Sequence, residues 1–65
     1  MYPVGTEVWV RGIGISMSAD ARGEIFNEDI EGKVVIVRES QNTMVVLVYN
    51  KGRFLFHHSQ IRIKI

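Results

Sequence analysis

The sequence predicts an all-β fold in which five short strands close into one small barrel over residues 1–65, with a long first loop and a single turn before the last strand. Three observations carry this expectation. The runs Lys33–Arg38 and Thr43–Tyr49 are rich in Val and Ile and too short for helices. Glycines and polar residues punctuate the chain at turn spacing, and helical periodicity is absent apart from one possible turn around Ser18 to Arg22. Both faces of the Val-rich strands are apolar, so an open three-stranded sheet would leave one face in water, which closure avoids. An open sheet that buries its second face against another subunit is the competing architecture.

Each element follows in chain order. From Thr6 to Arg11 the chain alternates, with Val8 and Val10 on one side and Glu7, Trp9 and Arg11 on the other, which is a strand with one buried face. Between Gly12 and Glu31 the alternation breaks down into Gly12, Gly14, Gly23, a Ser/Asp-rich stretch and an acidic end, which predicts a long loop. Lys33–Arg38 is the second strand. Glu39-Ser40-Gln41-Asn42 is a polar turn into the third strand, Thr43–Tyr49. Asn50-Lys51-Gly52 has the composition of a type I turn with Gly52 in the left-handed position, leading to an antiparallel strand over Arg53–His57. His58-Ser59-Gln60 is a single tight turn, and Ile61, Ile63 and Ile65 alternate with Arg62 and Lys64 in a closing strand.

This order of elements resembles the SH3-like barrels, and more narrowly the small YorP-like type encoded by phages and prophages. The residues that carry the resemblance are Tyr2-Pro3-Val4-Gly5, Gly32-Lys33-Val34-Val35, Gly52 with Phe54-Leu55-Phe56, and Ile61. It implies a fold and a phage or prophage origin, and brings no established activity. The Gly12–Glu31 stretch departs from that type completely. The aromatic motif with which eukaryotic SH3 domains bind polyproline is absent, and Phe54-Leu55-Phe56-His57 offers no amide where the barrel-type dihydrofolate reductases read a pterin. Gly32-Lys33-Val34-Val35-Ile36-Val37 also resembles the core of KOW motifs, which implies nucleic-acid binding as an alternative.

Composition narrows the function classes. A chain of 65 residues with no Cys has neither a disulfide framework nor a thiolate zinc site, and a reducing, cytoplasmic setting is expected. A domain this small buries little of its surface, so dense packing or self-association must supply its stability. The longest apolar stretch, Met44–Tyr49, is too short to span a bilayer, and Met1–Glu7 lacks the pattern of a signal peptide, so no membrane partner is expected. The formal charge of +1 hides an asymmetry: residues 1–32 hold two basic against six acidic residues (−4), and residues 33–65 hold six against one (+5). Such a chain either steers a charged partner, stacks on itself, or pairs its acids and bases internally.

Catalytic and metal chemistry find no support. His57 and His58 are neighbours on a strand, which directs them to opposite faces and prevents joint chelation. Glu24, Glu28, Asp29 and Glu31 lack the spacing of a calcium loop and read as a solvated acidic segment. Ser16, Ser18, Ser40 and Ser59 stand in no nucleophile motif, and Gly12-Ile13-Gly14 does not continue into a phosphate-binding loop. No enzyme activity, cofactor or metal is expected.

Aromatic and basic side chains carry the functional expectation. With Val8 and Val10 in the core, Trp9 faces outward or caps the barrel end. Tyr2, Trp9, Tyr49 and the Phe54/Phe56 pair are expected around a groove edged by Arg11, Arg53 and Arg62, although one or both phenylalanines belong in the core. The expected function is non-catalytic binding of another protein, host or phage, through Trp9, Arg11, Tyr49, Arg53 and His58, with the first loop setting specificity. Nucleic-acid binding through Lys33, Arg38, Lys51 and Arg53 is the alternative, and structural self-assembly the third reading.

Overall fold

The computed structural model describes residues 1–65, and its strands are β1 (Glu7–Ser16), β2 (Gly23–Arg38), β3 (Thr43–Val48), β4 (Gly52–His57) and β5 (Ile61–Ile63). One-turn 3₁₀ helices at Glu39–Gln41 and His58–Gln60 connect β2 to β3 and β4 to β5. Strands β1 to β4 pair antiparallel in succession, except that β1 itself joins both β2 and β4. The pairs Ile15↔Leu55 and Ser16↔Phe54 close this four-stranded barrel, and β5 adds to the other half of β1 through Val8↔Ile63 and Val10↔Ile61. The all-β, five-stranded architecture is that of a small SH3-like barrel, as the sequence predicts.

The long first loop is corrected. Gly12–Ser16 completes β1, Gly23–Glu31 is the first half of β2, and only residues 17–22 form a loop. Gly12-Ile13-Gly14-Ile15 is in fact an alternating strand whose inward positions are glycines. Gly14 lies under the Phe56 ring, where a Cβ would come within 2.7 Å of two ring atoms. On β2, Asn27-Glu28-Asp29 stands opposite Arg11 alone, because Val10 pairs with Ile30 and Gly12 with Phe26. This bulge carries the acidic residues outward and masks the strand pattern. A second irregularity at Val35, where Val34 pairs with Val46 but Ile36 with Val45, bends β2 so that one strand serves both halves of the barrel.

Ten buried residues fill the interior: Val8, Val10, Phe26, Val34, Met44, Val46, Val48, Phe54, Phe56 and Ile61, with Tyr2, Ile30 and Val37 packed against them. Phe26 meets Phe54 edge-on at 5.2 Å between centroids and Phe56 at 5.6 Å. Each fully buried side chain of this size contributes about 1.5–3 kcal/mol. No polar or charged residue is buried with them. Two smaller expectations change. The third residue of the Val48–Lys51 turn, Asn50, has φ 67°, the mark of a type II rather than a type I turn, and Gly52 follows at φ 118°. Strand β5 ends at Ile63, and of the three closing isoleucines only Ile61 enters the core.

The barrel seam depends on one side chain. On the edge of β1 away from β2, the stretch between the β5-paired and β4-paired residues has no strand partner, and the Gln60 Nε2 donates there to the carbonyls of Arg11 (3.2 Å) and Ile13 (2.8 Å). The Gln60 Oε1 accepts from the His57 backbone N–H at 3.0 Å. Residue 12 must be glycine for this: its φ is +94°, and a Cβ would lie 2.7 Å from the Gln60 Nε2. Gln60→Ala is expected to destabilise the fold by about 2 kcal/mol by removing three hydrogen bonds at the seam, and Gly12→Ala by a similar amount. Urea denaturation measures both; a loss below about 0.5 kcal/mol for Gln60→Ala would show the seam closes without it.

Candidate binding surface

Strand alternation sets the outer surface of the barrel as rows of side chains that cross the strands. One row runs Arg62, Trp9, Glu31, Tyr49 across β5, β1, β2 and the end of β3. The next runs Glu7, Lys33, Leu47, Arg53 across β1, β2, β3 and β4, with Lys64 bonded by its backbone to Glu7. Trp9 and Tyr49 are half-buried, and Arg53 is exposed. These three expected site residues therefore share one outward face. Arg11 continues that face along β1, beside a polar hollow formed with Gly12, Asp29, Ser59, Gln60 and Arg62. His58 is apart: it lies beyond His57 at the other end of β4 from Arg53, about 13 Å of strand away.

The two aromatic side chains of this face are held in place. The Lys64 ammonium sits 5.0 Å from the Trp9 ring centroid and pairs with Glu31 at 3.0 Å, so the indole is covered by a cation that a carboxylate orients. The Tyr49 phenol donates to both Glu7 carboxylate oxygens, at 2.8 and 2.9 Å. That hydrogen bond, then desolvation, then the charges of Glu7 and Glu31, push the Tyr49 phenol above its ordinary value. The wider aromatic groove is not formed, because Phe54 and Phe56 lie in the core and Tyr2 packs against it.

The charge asymmetry of the sequence is largely cancelled by internal pairing. Lys51–Glu24 (2.7 Å), Lys64–Glu31 (3.0 Å) and Arg62–Asp29 each join a base from the second half to an acid on the β2 arm. Arg11, Lys33, Arg38 and Arg53 are in no ion pair. The histidines also depart from expectation. The chain turns into the second 3₁₀ helix directly after His57, so the two exposed rings lie 4.5 Å apart, tilted by 40°, instead of facing opposite ways.

Sequence reasoning missed one feature of this surface. Closure buries only the inner face of the Val-rich strands, and an apolar row of Ile36, Val45, Leu55 and Ile15 stays on the outside. The signal was present in the unbroken run from Met44 to Tyr49, whose odd positions cannot face inward with the even ones.

The Tyr49 contact gives a pH prediction. A phenol pKa raised by folding contributes stability that is complete below the unfolded value, near 10, and is lost as pH rises through the folded value. Glu7→Gln is expected to bring the Tyr49 ionisation back toward its ordinary range, read as tyrosinate absorbance against pH; an unchanged titration would show that Glu7 does not govern it. No helix is long and apolar enough to cross a membrane. Set against family models, curated proteins and solved structures, the chain finds no match in any of the three.

Proposed function

We propose that this chain is a non-catalytic binding protein of phage or prophage type, working in the cytoplasm and contacting another protein through the outward face of Trp9, Tyr49 and Arg53, with Arg11 at its margin. The observation that carries the reading is the fixed presentation of two aromatic side chains beside unpaired cations. Lys64 and Glu7 hold Trp9 and Tyr49, while Arg53 and Lys33 flank Leu47 on the adjoining row with no carboxylate bound. Trp, Tyr and Arg are the residue types that dominate protein interfaces, and side chains ordered before binding lose less entropy on docking. Cytoplasmic location and phage origin rest on the lack of Cys and on the family resemblance.

Internal pairing weighs against nucleic acid. Of the four cations suited to phosphates, Lys51 is held by Glu24, and Arg38 lies five residues along β2 from Lys33. Affinity purification from host-cell lysate, with wild type and a folded Trp9→Ala variant side by side, tests the protein reading. Capture of a specific protein is expected to fall at least tenfold in the variant. In parallel, a fluorescent single-stranded oligonucleotide is expected to show no binding at low or moderate salt; a shift that weakens steeply with ionic strength would replace the protein reading with the nucleic-acid one.

A further inference from the structure

The outer apolar row is a built feature of the sheet. The irregularity at Val35 turns Ile36 outward opposite Val45, while Val34 and Val37 remain on the inner side. Val45 pairs with Leu55, and Leu55 with Ile15, so four apolar side chains line up across four strands. Val45 is fully buried yet belongs to no part of the interior core, whereas Ile36 and Ile15 remain 42% and 39% exposed. Met17 extends the row, its backbone tied to the Arg53 carbonyl at 2.9 Å. Ile36, Val45 and Met17 floor a shallow groove of about 410 Å³ whose wall includes Lys51 and Arg53 and no carboxylate.

Charge flanks the row on both sides. The neighbouring outward row on one side carries Lys33, Leu47 and Arg53, with Glu7 at its far end bound to the Tyr49 phenol, and that on the other carries Arg38, Thr43 and His57. Lys33, Arg53 and Arg38 make no ion pair, and the nearest acid beyond Arg38, Glu39, lies in the 3₁₀ turn off the sheet. A two-fold contact between copies through this strip would set cation against cation, which disfavours a second copy as occupant. The complementary occupant has apolar side chains flanked by carboxylates. Four strands at about 4.8 Å spacing make the strip roughly 14 Å long, which an extended segment of about five residues covers.

We propose that this strip docks an acidic, apolar segment of a protein partner, its apolar side chains on Ile36, Leu55, Ile15 and Met17 over the buried Val45 and its carboxylates on Arg53, Lys33 and Arg38. The proposal rests on the reading of the barrel as a protein-binding module and assigns the partner's chemistry to a face adjoining the Trp9 surface. Nuclear magnetic resonance titration of the labelled protein with a short peptide alternating leucine and glutamate tests it. Shifts are expected at the amides of Ile36, Val45, Leu55 and Ile15. The affinity is expected to fall at least tenfold in Arg53→Glu and in Ile36→Asp, both exposed positions, and to stay unchanged in Glu28→Gln, an exposed position on the β2 bulge outside both surfaces. A peptide alternating leucine and lysine is expected not to bind. Equal binding of the lysine peptide, or no shifts at millimolar peptide, would overturn the proposal. So would concentration-dependent dimerisation of the protein alone that Ile36→Asp abolishes. Shifts confined to the Trp9 row and lost in Trp9→Ala would also overturn it, while leaving the protein-binding reading standing.

Discussion

One strand has to satisfy two partners, and one amide makes that possible. Strand β1 gives its first half to β5 and its last two residues to β4, because a barrel this small cannot be closed by a single straight pairing. The change of partner leaves a stretch of edge whose carbonyls would otherwise bond only to water, and each internal hydrogen bond in place of water contributes about 0.5–1.5 kcal/mol. Gln60 fills the gap from the turn between β4 and β5, and it fits because Gly12 leaves room for it. The placement of Phe56 before that turn and Ile61 after it follows, so the core is closed by the same residue that closes the backbone. For a domain of 65 residues, whose net stability is only a few kcal/mol, that contribution is a large fraction of the whole.

Legibility in the sequence tracked how far each feature depended on its own residues. Val8 and Val10 against Trp9 were readable because their alternation is local, and so was the run of Val and Ile that became β3. The end of β1 was not, since Gly12 and Gly14 signal a turn by propensity and only the Phe56 ring and the Gln60 amide show why they belong in a strand. The acidic half of β2 was hidden for a related reason: its bulge is defined against Arg11, a residue on another strand. The outward row was half readable, as an apolar face in need of cover. Which strand would turn Ile36 to meet Val45 depended on an irregular pairing that no single segment encodes. The histidine contact likewise depends on the fold: the turn lies at His58–Gln60 as its residues suggest, but the direction in which it carries the His58 ring is set by the 3₁₀ geometry and not by strand alternation.

Electrostatics shows the same division between chain and fold. The sequence separates its charges by halves, and the antiparallel arm of β2 lays the acidic half beside the basic one. Ion pairs this exposed contribute little stability, about 0–1 kcal/mol each. Their effect is on what remains: the bases left over are Arg11, Lys33, Arg38 and Arg53, and three of these border the apolar row. The surface thus becomes less polar in bulk and more selective in detail, since a partner meets a few free cations instead of a broad positive field.

The Gln60 bond has a further consequence for how the chain reaches this state. It joins residues 49 positions apart, and the closing strand pairs with β1 across a similar span, whereas β1, β2, β3 and β4 meet in order through short turns. Loop-closure entropy makes such distant contacts slow to form relative to hairpins. Contact locality favours formation of the meander from β1 to β4 before the seam. Until it shuts, β1 presents an unpaired edge on which a strand from another molecule can lie as readily as its own. The speed with which one glutamine finds its two carbonyls therefore governs how long the nascent barrel stands exposed to exchange with its neighbours.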